Sequence, residues 1–268
     1  MKFTVFQPNY PIADASTCMA WMGAQIDALQ SCQQDIVLLP EYANTPGIEE
    51  SDALRSCAET TGAVFLQNIA ASAIRLDCLI ATGAIVRDGE QWFNRTLVFD
   101  ASGKVVFHYD KIHLPTTESH DLGLTAGSTS PVFEYRGTRI GFATCFDLYF
   151  PEHFVALAEQ QVDLILCPSY QRSETAERIR LIAQMRALDT GCYLARSSYA
   201  MSTPDHGGHS LIAAPDGTII ADAGNTAGII TSEFDPHQKF TKPASHGQPI
   251  VEHRALIESH RRPDTYRK

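Results

Sequence analysis

A net charge of −10 on 268 residues, with 21 Lys and Arg scattered apart from the closing HRRPDTYRK, argues against nucleic acid or an anionic membrane as the main partner. Both are held by clustered basic groups. A 44% hydrophobic content with 17 Gly and 14 Pro is ordinary for a globular chain that buries a large core.

The chain opens on MKFTVFQPNY, which lacks the apolar core of a signal peptide, and no run approaches the ~18 apolar residues of a spanning helix. Seven cysteines, the closest two being Cys18 and Cys32, leave no CxxC redox pair and no cysteine-based zinc knuckle. They read as free thiols, and the expected location is cytoplasmic. KFTVFQ (2–7) predicts a strand, and Met19, Met22, Ile26 and Leu29 predict a helix within 14–33. DIVLLPE (35–41) is an apolar strand ended by proline. A helix over 52–61 and a strand AVFLQ (63–67) follow, then strands near 78–86, 91–99 and 104–108 joined by the tight turns of RDGEQ and DASGK.

The second half repeats this grammar. Strands are expected near 131–135, 138–144, 163–168, 192–197, 209–214, 218–222 and 228–233, with helices over 151–160 and 175–189. Short apolar strands in two groups, with helices to cover their outer faces, imply an α/β protein built as a four-layer αββα sandwich in a single domain spanning 1–268. After about residue 235 the composition turns to Pro, Gly, His and charge, predicting a surface-following tail.

Three apolar runs end on groups that are costly or reactive in a core: VLLPE on Glu41, VVFHYDK on Lys111 and GFATC on Cys145. Rigid strands that aim such side chains outward are where sites are built. A carboxylate that takes a thiol proton, a sulfur that attacks and an ammonium that holds an oxyanion suffice for acyl transfer. A cysteine alone is more often a small buried hydrophobe, and its context decides here. The helix expected from Pro151 would favour a thiolate if its N-terminus faced Cys145.

LLPEYANTPG, YDKIHLP and CFDLYFPE resemble the three signature blocks of the nitrilase superfamily, the carbon-nitrogen hydrolases. FNRTLVFDASGKVV, MRALDTGCYLARSS, HSLIAAPDGTIIAD and RRPDTY extend the resemblance along the chain. It implies the αββα fold, a Glu41, Lys111 and Cys145 triad, a second glutamate beside the lysine, and a homodimer formed near the nucleophile helix or a higher homo-oligomer. That second glutamate falls on Glu118, with Asp121 as the alternative.

Cys145, Phe146, Asp147 differ from the Cys-Trp-Glu of nitrilases and resemble the amidase branch. Leu148 and Tyr149 stand where amino-acid carbamoylases often carry arginines. The expected substrate is a small linear amide, omega-amides included, with an N-carbamoyl compound second and a nitrile third; an acyltransferase and an inactive binding protein are the rivals. Phe146 is expected to offer its N–H to the oxyanion, and Tyr149, Tyr170 and Arg172 to contact substrate. His113 and Arg186 read as structural, and neither metal nor organic cofactor is required.

Overall fold

The computed structural model describes residues 1–10 and 14–266, so Arg267 and Lys268 of the basic tail lie outside it. The first half runs β1 (Lys2–Gln7), α1 (Ala15–Asp27), β2 (Ile36–Leu38), α2 (Ser51–Glu59), α3 (Thr61–Leu76), β3 (Leu79–Asp88), β4 (Gln91–Phe99) and β5 (Val105–Asp110). The second runs β6 (Phe133–Tyr135), β7 (Thr138–Phe142), α4 (Pro151–Glu159), β8 (Leu164–Pro168), α5 (Ala176–Thr190), β9 (Tyr193–Ser197), β10 (Leu211–Ala213), β11 (Ile219–Asp222) and β12 (Gly228–Glu233). The hairpin β13 (Thr241–Pro243) and β14 (Ile250–Glu252) leads into α6 (His253–His260) and α7 (Pro263–Tyr266).

Side-chain alternation sets the layers. In β1, Phe3 and Val5 point to one face and Phe6 to the other, and all three are buried, so this strand is packed on both sides. The strands form two six-stranded sheets, ordered β12-β1-β2-β3-β4-β5 and β11-β10-β9-β8-β7-β6. Phe3, Val5, Leu38 and Ala81 of the first sheet meet Phe142, Leu164, Leu166 and Ile212 of the second in a shared inner core. Outside the first sheet, Met22 and Ile26 of α1 and Phe65, Ile69 and Leu76 of α3 cover Phe6, Val37 and Ile80. Outside the second, Phe154 and Leu157 of α4 and Ala183 and Ala187 of α5 cover Ile165 and Leu194. The result is the expected αββα sandwich.

One segment differs from its sequence reading. AVFLQ (63–67) is not a strand but part of α3, where Phe65, Ile69, Ala73 and Leu76 keep a helical spacing and are all buried. A five-residue apolar run does not separate strand from helix by itself, and its continuation to Leu76 settles the matter. The tail after β12 is anchored as well as folded: Arg254 is buried, and its Nη1 donates to the Val162 carbonyl at 2.5 Å. Among the described residues no helix is long and apolar enough to cross a membrane.

β1, β2 and β3 pair in parallel, as do β7, β8 and β9. β4 reverses and β5 reverses again, so β2, β5, β7 and β8 bring segments that follow their C-terminal ends to one pocket. Crevices at such ends are the usual binding places of α/β sheets.

Candidate active site

Each catalytic candidate is held by backbone that its neighbours constrain. Beyond β2 the pairing continues, with Leu39 N–H donating to Ala81 O at 2.9 Å and Ala43 N–H to Gly83 O at 2.8 Å. A Cβ on Gly83 would lie 2.5 Å from Glu41 Cα, so only glycine lets β3 pass this close to the glutamate. The Tyr199 hydroxyl donates to the Glu41 carbonyl at 2.8 Å. After β5, Lys111 N–H donates to Asn94 O at 2.9 Å, while Gly127 N–H donates to Lys111 O at 2.8 Å.

Cys145 begins a tight 3₁₀ turn, Cys145–Tyr149, with its own φ at +48°, a left-handed conformation that a non-glycine residue rarely adopts. Asp147 stabilises that turn. Its carboxylate accepts from Thr144 N–H (2.8 Å), His113 N–H (3.0 Å) and the Tyr109 hydroxyl (2.8 Å), and lies 2.8 Å from His113 Nδ1. Burial pushes the Asp147 carboxyl up, but His113, His153 and the Thr144 N–H outweigh it and hold it below its ordinary value. Arg186 adds a bond from Nε to Leu148 O at 2.8 Å, and Pro151 starts α4 where a missing N–H costs nothing.

These elements bring Glu41, Lys111, Glu118 and Cys145 to one cavity of about 190 Å³. The Lys111 ammonium donates to Glu41 Oε1 at 2.8 Å and to Glu118 Oε1 at 2.7 Å. Asn94 Nδ2 donates to the same two oxygens, at 2.7 and 3.1 Å, and the Tyr42 hydroxyl donates to Glu118 Oε1 at 3.1 Å. Burial disfavours the charge on Lys111, yet Glu41 and Glu118 beside it hold the ammonium well above its ordinary range. Burial pushes the Glu118 carboxyl up to about 7 against the pull of Lys111, and the neighbouring Glu41 pushes the same way.

The Cys145 thiol lines this cavity without a hydrogen bond to Glu41 in this structure. Burial first, then the Glu41 carboxylate, raise its pKa well above the thiol norm, and Lys111 and the Tyr170 N–H only partly offset them. Burial and Glu41 together therefore favour the neutral thiol, opposite to the effect that an α4 N-terminus facing Cys145 would have. Glu41 anchors one oxygen on Lys111 and Asn94, while its buried Oε2 has no partner among the described residues.

The other expected contacts divide. Tyr170 and Arg172 line the cavity. The side chains of Phe146 and Tyr149 do not: the Phe146 ring packs edge-on against Phe150 with centroids 5.3 Å apart, and the Tyr149 hydroxyl bonds Glu174. Their place in the 3₁₀ turn after Cys145 aims them along the surface instead of inward. Asp121 lies exposed on the lining without bonding Lys111. His113 serves Asp147 and stacks on Phe150 at 3.7 Å. Sequence reasoning missed Asn94, Tyr42 and Tyr199. Asn94 had a signal, as a polar residue on the buried face of β4 in line with Trp92 and Thr96. Among the described residues no group of three or more His, Cys, Asp or Glu side chains is placed to hold a metal ion.

Residues 2–238 match the family model of the carbon-nitrogen hydrolases. The chain belongs to that family. This carbon-nitrogen hydrolase is 30% identical over 245 residues to a hydrolase encoded in the pqqF 5′ region of Pseudomonas protegens, covering 89% of this chain and 82% of that one. It is 26% identical over 209 residues to the 2-oxoglutaramate amidase of Bacillus subtilis, covering 77% and 80%. Its fold matches that of a nitrilase-superfamily amidase from Nesterenkonia sp. AN1 with a TM-score of 0.81 at 16% identity, over 99% of this chain and 95% of that one. Nit3 of Saccharomyces cerevisiae matches with a TM-score of 0.76 at 22% identity, over 100% and 97%.

Proposed function

We propose that this carbon-nitrogen hydrolase cleaves small linear amides, omega-amides among them, through a thioester on Cys145. The observation that carries this is the Lys111 ammonium buried between Glu41 and Glu118 in the cavity that Cys145 lines. Relatives named 2-oxoglutaramate amidase and omega-amidase support the substrate class. The cavity, at about 190 Å³, is smaller than the usual site for a drug-sized ligand and fits a short chain.

With the neutral thiol favoured by its surroundings, Cys145 sheds its proton as it attacks. Glu41 takes that proton while the S–C bond forms, and the carbonyl oxygen becomes an oxyanion held by Lys111 and the Phe146 N–H. Glu41 then returns the proton to the leaving nitrogen as the C–N bond breaks, releasing ammonia or an amine. Water enters, gives a proton to Glu41 and attacks the thioester; collapse of this second intermediate expels the sulfur, which regains the proton, and frees the acid. Glu118 shares the Lys111 ammonium with Glu41, which helps to keep that cation charged and fixed.

Leu148 is buried and Tyr149 turns to Glu174, so neither supplies the cation that an N-carbamoyl amino acid would need after the nucleophile. We assign the whole chain to one hydrolase domain in a cytoplasmic homodimer. Leu181 and Met185 of α5, 56% and 41% exposed, support pairing through the nucleophile-helix face. Seven free cysteines accord with a reducing compartment. Ammonia release from matched amides, N-carbamoyl compounds and nitriles tests the substrate class. Amides should be fastest; a nitrile turned over while amides stay inert would overturn the reading.

A further inference from the structure

Among the described residues lining the cavity there are two cations, and they are not equally available. Lys111 is fully buried and already bonded to two carboxylates. Arg172 has 39% of its side chain exposed and lies 5.0 Å from the Tyr170 ring centroid, which leaves its guanidinium as the group able to meet a substrate carboxylate while Lys111 serves the oxyanion. It is, however, paired with the Glu49 carboxylate, which also accepts from the Tyr10 hydroxyl at 3.3 Å. Glu41, Glu49, Glu118 and Asp121 line the same space, so a substrate carrying a carboxylate meets an acidic wall unless Arg172 is released.

We propose that Glu49 is a specificity-determining residue: its carboxylate holds Arg172 until the carboxylate of an amide substrate takes its place by exchange of ion-pair partners. The proposal rests on the amidase reading above. Exchange is physically easy because Glu49 is 60% exposed and regains water when it lets go. Arg172 keeps its orientation over the Tyr170 ring, and its planar fork can donate to either carboxylate. Glu49 therefore acts as a competitor of anionic substrates and leaves neutral ones untouched by this contact.

The test measures kcat and KM for succinamate and butyramide, two amides of equal chain length that differ by a terminal carboxylate, in wild type, Glu49→Gln and Arg172→Met. Glu49→Gln should raise the succinamate-to-butyramide ratio of kcat/KM by about 2- to 5-fold, as for loss of one exposed ion pair, with the change in the KM for succinamate. Arg172→Met should lower the same ratio, again through KM. Raised ionic strength should narrow the wild-type and Glu49→Gln difference. If Glu49→Gln lowers the ratio or shifts both amides equally while wild type hydrolyses them, the exchange is wrong and the amidase reading stands. If wild type releases ammonia from neither amide nor from any other short linear amide, the amidase reading falls and the proposal with it.

Discussion

At the floor of the pocket Lys111 is buried between Glu41 and Glu118, whereas at its rim Arg172 meets Glu49 with 39% and 60% of their side chains exposed. Both are ion pairs between one cation and acidic partners, yet water screens one and is excluded from the other. At the floor, desolvation makes each charge depend on the rest: Asn94 bonds both glutamates, and Tyr42 bonds Glu118. At the rim a partner leaves at little cost. A rigid floor suits chemistry that needs a fixed oxyanion donor, and an exchangeable rim suits selection among substrates.

The floor should fail hard. Lys111→Met should lower kcat/KM by ~100- to 1000-fold through loss of an oxyanion donor, and lower stability by about 3–5 kcal/mol because two buried carboxylates lose their cation. Steady-state kinetics and denaturant unfolding read both, and full activity in this variant would remove Lys111 from the mechanism. Asn94→Ala should act more mildly, at about 1–3 kcal/mol of stability for two buried acceptors deprived of a donor and roughly tenfold in kcat. An Asn94→Ala enzyme with wild-type rate and midpoint would show that Lys111 alone organises the glutamates.

The pH dependence sharpens the comparison with a smaller effect. Glu118 has its carboxyl raised from 4.5 to about 7 in the folded protein, so the folded state binds that proton more readily than the unfolded one. Its contribution to stability is complete below the unfolded value and is lost as pH rises through the folded one. Wild type should therefore lose stability between pH 4.5 and pH 7 relative to Glu118→Gln, whose amide does not titrate. Thermal midpoints that run parallel across that window would contradict a raised Glu118. The rim variants, with their few-fold changes in KM, sit at the bottom of this scale.

How much of this was legible in the sequence follows the same division. Glu41, Lys111 and Cys145 stand out because an apolar strand ending on such a residue has a cost that needs a reason, and the structure places all three on one cavity. Asn94 was hidden because one polar residue in a strand has many ordinary uses, and only the fold shows that it bridges residues 41 and 118. The positive φ of Cys145 and the close passage of Gly83 over Glu41 are backbone facts that depend on the assembled sheets. Residues 63–67 misled because a short apolar run is ambiguous between periods, and packing on β2 and β3 decided it. Tyr149 misled because a neighbour of a nucleophile in a tight turn need not face the substrate, and its hydroxyl bonds Glu174 instead.

The central claim is that Cys145 carries the acyl group, and it is tested most directly by acid-quenching the enzyme during turnover of a slowly hydrolysed amide and mapping peptides by mass spectrometry. The acyl mass should appear on the peptide that holds Cys145, disappear when substrate is exhausted, and be absent from Cys145→Ala, which should retain its fold and lose activity. Turnover with the acyl group on another residue, or undiminished activity in Cys145→Ala, would contradict the account.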